Sequence, residues 1–234
     1  MIRTAALIAL AGASSLASAQ TLDFSGLVHG EVVNNQFAGA GVTVSAVNPN
    51  RSFDLAVAFD TTMSGTADPD LEDPFVTGNI DGNTFLGNVL ILQENDTDAD
   101  GDGILDNPDD EGSRPAGQLI FDFDTTIASL GFDIVDLEGS IAENSVIEFF
   151  LGGSSVLSID FAEFEAGGAF DMGAIFGNNT LNRIDEISVA GGFDRAVFNL
   201  GGSSAIDNVA FTVPAPGAVA LLGLGGLAAA RRRR

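Results

Sequence analysis

Cysteine, tryptophan, tyrosine and lysine do not occur among the 234 residues. Without cysteine there is no disulfide, no thiolate nucleophile and no Cys-ligated zinc or iron–sulfur site. Without lysine there is no Schiff base and no P-loop lysine. The single histidine, His29, cannot build a multi-histidine metal site. Basic residues are scarce: nine arginines (Arg3, Arg51, Arg114, Arg183, Arg195 and Arg231 to Arg234) face 33 acids, for a formal charge of −24. All the acids lie between Gln20 and Val213, where only four arginines occur, so that segment carries 4 − 33 = −29. Nucleic acid and anionic lipid need a basic footprint, which excludes them as partners of this segment and leaves cations, basic surfaces and neutral polymers. What is present is globular in kind: 45% hydrophobic residues with 18 phenylalanines, far from a disordered composition.

The two ends read as addresses. In residues 1–19, Arg3 supplies a positive start, Ala5 to Ala11 a short apolar core and Ala17-Ser18-Ala19 a small-x-small cleavage pattern. That is the layout of a secretory signal peptide with Gln20 as the mature N-terminus; a buried N-terminal helix is the competing reading. At the other end, Val213-Pro214-Ala215-Pro216-Gly217 precedes an apolar run, Ala218 to Ala230, and then Arg231 to Arg234. Thirteen residues reach about 20 Å as a helix, short of the roughly 30 Å hydrocarbon core. The arginine cluster is expected to stay cytoplasmic, which places the body outside. Val213-Pro214-Ala215-Pro216-Gly217, the Gly/Ala/Leu-rich segment and the terminal arginines together resemble the PEP-CTERM protein-sorting tail, also known as the ice-binding protein C-terminal domain. The resemblance spans residues 213–234, with Ala215 where the commoner version has Glu. It implies an exosortase-type sorting enzyme as partner, transient membrane insertion through the tail and delivery to the cell surface or extracellular matrix. A plain single-pass anchor is the alternative.

Between the ends, residues 20–212 read as one domain. Leu119, Phe121 and Phe123 alternate with polar neighbours, as do Leu130, Phe132 and Ile134, then Ile147, Phe149 and Leu151, and Val209, Phe211 and Val213. One-sided alternation marks antiparallel strands with one buried face. Further strands are expected at Glu31–Phe37, Val42–Val47, Phe53–Phe59, Val89–Gln93, Val156–Phe161 and Arg195–Leu200, divided by Gly-rich turns such as Gly152-Gly153 and Gly191-Gly192. The expected fold is all-β, an antiparallel β-sandwich or jelly roll. The opening Leu22-Asp23-Phe24-Ser25-Gly26-Leu27, Gly41-Val42-Thr43-Val44-Ser45 and the closing Ala205-Ile206-Asp207-Asn208-Val209-Ala210-Phe211 resemble the sandwich domains that often precede such sorting tails, and the closing Ile206-Asp207-Asn208-Val209 also resembles the last strand of galactose-binding-like carbohydrate modules. That resemblance implies a structural calcium near Asp207, between the first and last strands.

One segment carries chemistry. Glu94 to Glu111 holds nine carboxylates and no basic residue. Counting Asp98 as the first position, Asp98, Asp100, Asp102, Asp106 and Asp109 fall at 1, 3, 5, 9 and 12, with Gly103 at 6 and the Ile104 carbonyl at 7. This is the oxygen-ligand spacing of a calcium loop. Strand before the loop and Pro108 near its exit do not suit the paired helices of an EF-hand. The segment more closely resembles a single thrombospondin type 3 calcium repeat, which implies bound Ca2+. A solvated acidic loop without an ion fits the same sequence. Asp68-Pro69-Asp70-Leu71-Glu72-Asp73 and the pair Asp23 and Asp207 are softer candidates for a second site. No nucleophile–base constellation can be assembled, so a non-enzymatic surface or matrix protein is expected. The alternatives are an adhesin that binds extracellular polysaccharide and a secreted, carboxylate-based glycoside-active enzyme. The first lacks the Trp and Tyr that usually stack on sugars. The second needs only two acids, which 33 supply by chance.

Overall fold

A computed structural model describes residues 17–215. Most of the signal-like segment and most of the sorting tail, including Pro216, Gly217 and the arginine cluster, lie outside the described residues. Within them, ten strands are β1 (Ser18–Leu22), β2 (Val42–Val47), β3 (Ala56–Asp60), β4 (Val76–Thr77), β5 (Asn88–Leu92), β6 (Gly117–Val135), β7 (Val146–Leu151), β8 (Ser154–Asp160), β9 (Thr180–Leu200) and β10 (Ala205–Val213). Helix is confined to one α-helical turn, Ser140–Glu143, and short 3-10 turns. Every pairing between strands is antiparallel except β4 with β9. The all-β, antiparallel expectation is met, and no described helix is long and apolar enough to cross a membrane.

Two long strands organise the molecule. β6 and β9 pair from Gly117 with Leu200 through to Val135 with Leu181, and the register slips between Asp122 and Ile127. The first half of β6 pairs with β2, and the facing half of β9 pairs with β7, which carries β8. The second half of β6 pairs with β10, which carries β1 and β5, and β5 carries β3. The ribbon must fold back on itself, because Phe198 packs against both Phe121 (ring centroids 5.6 Å apart) and Phe132 (4.8 Å). Those two are eleven residues apart (132 − 121), about 36 Å along a straight strand. Phe123 meets Phe211 of β10 across the same core at 5.1 Å. The fold is therefore a two-layered sandwich whose layers share both long strands. At the bend, Asp124, Thr125 and Thr126 are exposed, and Gly191 and Gly192 hold φ of 87° and 81°, values that favour glycine.

Within the second layer, β3 and β5 are buried on both faces. Ala56, Ala58, Leu90 and Leu92 point into the main core. Val57, Phe59, Val89 and Ile91, their alternating neighbours, pack outward under Leu71, Phe75, Leu86 and Leu105. The covering residues come from residues 61–87 and from the acidic loop. This explains why β5, Asn-Val-Leu-Ile-Leu, reads as a continuous apolar run rather than an alternation.

The expected strand Glu31–Phe37 is not formed. Only isolated bridges occur there, Glu31 with Ile104 and Val32 with Val57. The Gln36 side-chain amide donates to Glu31 Oε1 (2.9 Å) and to the Val32 carbonyl (2.8 Å), closing a turn that competes with a ladder. The segments at Leu119–Phe123 and Leu130–Ile134 are one strand, and Gly191-Gly192 is a bend inside β9 rather than a turn between strands.

Candidate metal centre

The acidic loop springs from the end of β5 and is fastened at its neck. Asp109 N–H donates to Gln93 Oε1 (3.2 Å), Glu94 N–H to the Asp109 carbonyl (2.8 Å) and Asn95 Nδ2 to the Asn107 carbonyl (2.8 Å). Further along, Leu105 docks the loop on the sandwich. Its side chain is buried, and its N–H donates to the Gly30 carbonyl (2.9 Å), while Gly30 N–H donates to Ala58 of β3 (2.8 Å). Gly30 has φ of 88°, and a Cβ there would lie 2.1 Å from the Leu105 carbonyl oxygen. Glycine is what permits this approach.

At the tip, Asp98, Asp100 and Asp102 bring one carboxylate oxygen each to within 4.8 Å of one another. Each is oriented by the backbone of its own loop. Asp98 accepts from Gly101 N–H (2.8 Å) and Gly103 N–H (3.1 Å), Asp100 from Asp102 N–H (3.2 Å) and Asp102 from Ile104 N–H (2.8 Å). Gly101 and Gly103 both lie in the left-handed region, at φ of 78° and 88°. Calcium–oxygen distances of about 2.3–2.6 Å allow opposed ligands roughly 5 Å apart, so the triad has the spacing for a hard cation.

Of the other sequence-derived ligands, Ile104 and Asp106 stay in the same loop beside the triad, and only Asp109 is drawn into a different group. Asp106 turns its Oδ2 to Ala99 N–H (2.6 Å), and Ile104 sits in the bridge to Glu31. Asp109 is drawn back by the neck and clusters with Asp68 and Asp110, again with oxygens within 4.8 Å. Two of its three members are buried, Asp68 being 7% and Asp110 5% exposed, while Asp109 is half-buried. Burial first, then the charges of Asp68, Glu94 and Glu111, pushes Asp109 up to about 6. Burial and the charge of Asp68 hold Asp110 well above the usual carboxylate range. Asp136 stands beside them, pushed up to about 7 mainly by burial. Sequence reading singled out Asp68 and Asp109 separately and missed Asp110, Asp136 and Ser203.

Asp207 is a further buried acid. β1 and β10 are neighbours in the sheet, which puts Asp23 close enough for its charge to act on Asp207. Burial pushes Asp207 up to about 8; the backbone of Asn208 offsets part of this, and the charges of Asp23 and Asp133 add to it. Neither Asp207 oxygen has a well-aligned hydrogen-bond partner. Among the described residues the four arginines are all engaged: Arg51 with Glu94 and Glu111, Arg114 with Glu138 and Glu143, Arg183 with Asp133, and Arg195 with Asp122. That leaves 33 − 6 = 27 acids with no partner among the four described arginines.

His29 is structural in its surroundings. Its Nδ1 accepts Asp60 N–H (2.9 Å), its ring packs edge-on to Phe59, and burial lowers its pKa against the opposing pull of Asp60. Of the 18 phenylalanines only Phe85 is exposed, at 69%. A cleft of 620 Å³ lined by Arg114, Gln118, Glu143, Asn144 and Asn199 has no aromatic wall.

No family model matches the chain, and no curated protein matches it. Among solved structures, the K2 cleaved adhesin domain of Lys-gingipain aligns with 15% sequence identity and a TM-score of 0.39, covering 84% of this chain and 100% of that one. Fold and site together describe an all-β sandwich domain that carries an acidic candidate metal loop.

Proposed function

We propose that this chain is an exported, non-catalytic protein of the cell surface or extracellular matrix, and that its acidic loop binds calcium through Asp98, Asp100 and Asp102. The observation that carries the metal reading is the convergence of these three carboxylates in a loop docked on the sandwich by Leu105. Their backbone hydrogen bonds aim the oxygens and leave lone pairs for an ion. No arginine lies within the loop to take its place. The address reading rests on the sequence of the two ends: a signal-like start and a tail resembling the PEP-CTERM sorting segment, with an exosortase-type enzyme as the partner it implies. A polysaccharide partner lacks support, since one exposed phenylalanine makes no stacking platform.

Calorimetric titration of the full chain with calcium, beside the Asp100→Ala/Asp102→Ala variant, tests the metal reading. Saturable heat that the variant loses in part or whole supports it. Identical isotherms for both proteins sink it. Fractionation of the producing cell with and without the residues 213–234 segment tests the address, because loss of surface delivery is expected only for the truncated chain.

A further inference from the structure

Four segments far apart in sequence meet at one end of the second layer. They are the turn at Asp68, the loop exit at Asp109 and Asp110, the end of β6 at Asp136 and the β9–β10 turn at Ser203. Their polar atoms are nearly all acceptors. Asp68 Oδ1 caps the following 3-10 turn through Asp70 N–H (3.2 Å), but Asp68 Oδ2 is enclosed and has no well-aligned donor; only the backbone N–H and the carboxyl of Asp110 stand near it. The Ser203 hydroxyl lies 2.9 and 2.8 Å from the two Asp110 oxygens and 2.8 Å from Asp136 Oδ2. It carries one proton and can satisfy only one of those three. None of the four arginines among the described residues compensates, since all pair with other acids. Like charges buried a few ångströms apart repel strongly, and an uncompensated buried acceptor is itself destabilising.

We propose that Asp68, Asp109 and Asp110 form a second, largely buried site for a divalent, oxygen-preferring cation such as calcium, independent of the exposed loop site. The donors are carboxylates only, which selects a hard ion over zinc or copper. Their mutual separation, within 4.8 Å, matches calcium–oxygen geometry. The ion supplies the positive charge that Asp68 Oδ2 faces and that the single Ser203 proton cannot. Its structural consequence is a staple. Asp68 belongs to the 61–87 segment that roofs the outer apolar cluster of Phe59, Val89 and Ile91, whereas Asp110 bridges to Gln93 at the end of β5. An ion between them ties the roof to the sheet. The competing state is a carboxyl pair that shares protons, which burial and the raised position of Asp110 also allow.

The test uses the full chain carrying Asp100→Ala/Asp102→Ala, so that the loop site cannot contribute. Expected is about one calcium per chain by calorimetry, a higher melting temperature in calcium than in chelator, and calcium-dependent protection of Phe75 and Phe85 from a chymotrypsin-type protease. Adding Asp68→Asn or Asp110→Asn should weaken that binding about tenfold or more, because affinity follows ligand charge, and should abolish the protection. If Asp110→Asn fails to fold, Asp68→Asn decides alone, since it alters an oxygen that holds no well-aligned partner. No calcium binding by the loop variant overturns the proposal. So does binding that neither asparagine disturbs, because the ion then sits elsewhere. Failure of the loop reading, by contrast, shows as an unchanged stoichiometry between wild type and the loop variant.

Discussion

The exposed triad at Asp98, Asp100 and Asp102 and the buried group at Asp68, Asp109 and Asp110 are made of the same side chain at the same spacing, yet their surroundings are opposite. At the loop tip each carboxylate receives N–H donors from its own loop, two for Asp98 alone, and water screens the remaining repulsion. In the buried group donors are fewer: Asp68 takes one N–H from Asp70, Asp110 shares one hydroxyl with Asp136, and Asp68 Oδ2 has no well-aligned partner. What sets the dependence of an acidic cluster on a cation is therefore the supply of donors around it, not the number of acids in it. The loop should keep its shape without an ion; the buried group should not keep its charge without one.

Several changes would break or sharpen that contrast. The largest effect is expected from Gly30→Val, which drives a Cβ into the Leu105 carbonyl and should undock the loop from β3. A loss of about 3 kcal/mol is expected, or about 6–12 °C in Tm for a domain of this size, read by circular dichroism melts; an unchanged Tm would mean the loop does not rest on the sandwich. Next is pH in the presence of chelator. Asp207 is pushed up to about 8 and Glu143 up to about 7, both chiefly by burial. The folded state thus holds protons that the unfolded state has released. Their contribution to stability is full below about pH 4 and is lost as pH rises towards 8. Tm should fall by about 5 °C between pH 5 and pH 8; a rise over that window would contradict the buried, donor-poor setting of these acids. Smaller again is Asp68→Asn in chelator, which puts an NH2 donor where Oδ2 has no well-aligned one and should raise Tm by about 3 °C. A drop would show that the buried group is already satisfied. The smallest effect belongs to Asp100→Ala/Asp102→Ala in chelator, within about 1 °C of wild type, since exposed charges contribute little. A large change would erase the difference between the two groups.

Much of this was legible in the sequence wherever the signal was local. Val42–Val47 alternates cleanly and is β2 residue for residue, and the Asp98-Ala99-Asp100-Gly101-Asp102 spacing converges because one short loop holds it all. What escaped were features set by distant partners. The bends of β6 and β9 look like turns in either segment alone, and only their pairing, with Ile127 opposite Phe193, keeps both strands running through them. Residues 61–87 show no strand alternation because they form a roof whose buried residues, Leu71, Phe75 and Leu86, are spaced irregularly. Asp68 and Asp110 are 42 positions apart (110 − 68), so their meeting has no local signature. The one hint was Asp109-Asp110-Glu111, three consecutive acids of which two turn out to be buried.

The shared strands also govern how the chain comes together. Here the first layer lacks its centre until β6 and β9 have paired, and so does the second. That pairing joins residues as distant as Gly117 and Leu200, so its loop-closure entropy falls due before any core is in place, which slows folding. A refolding experiment should accordingly show one slow, cooperative phase in which both layers appear at once.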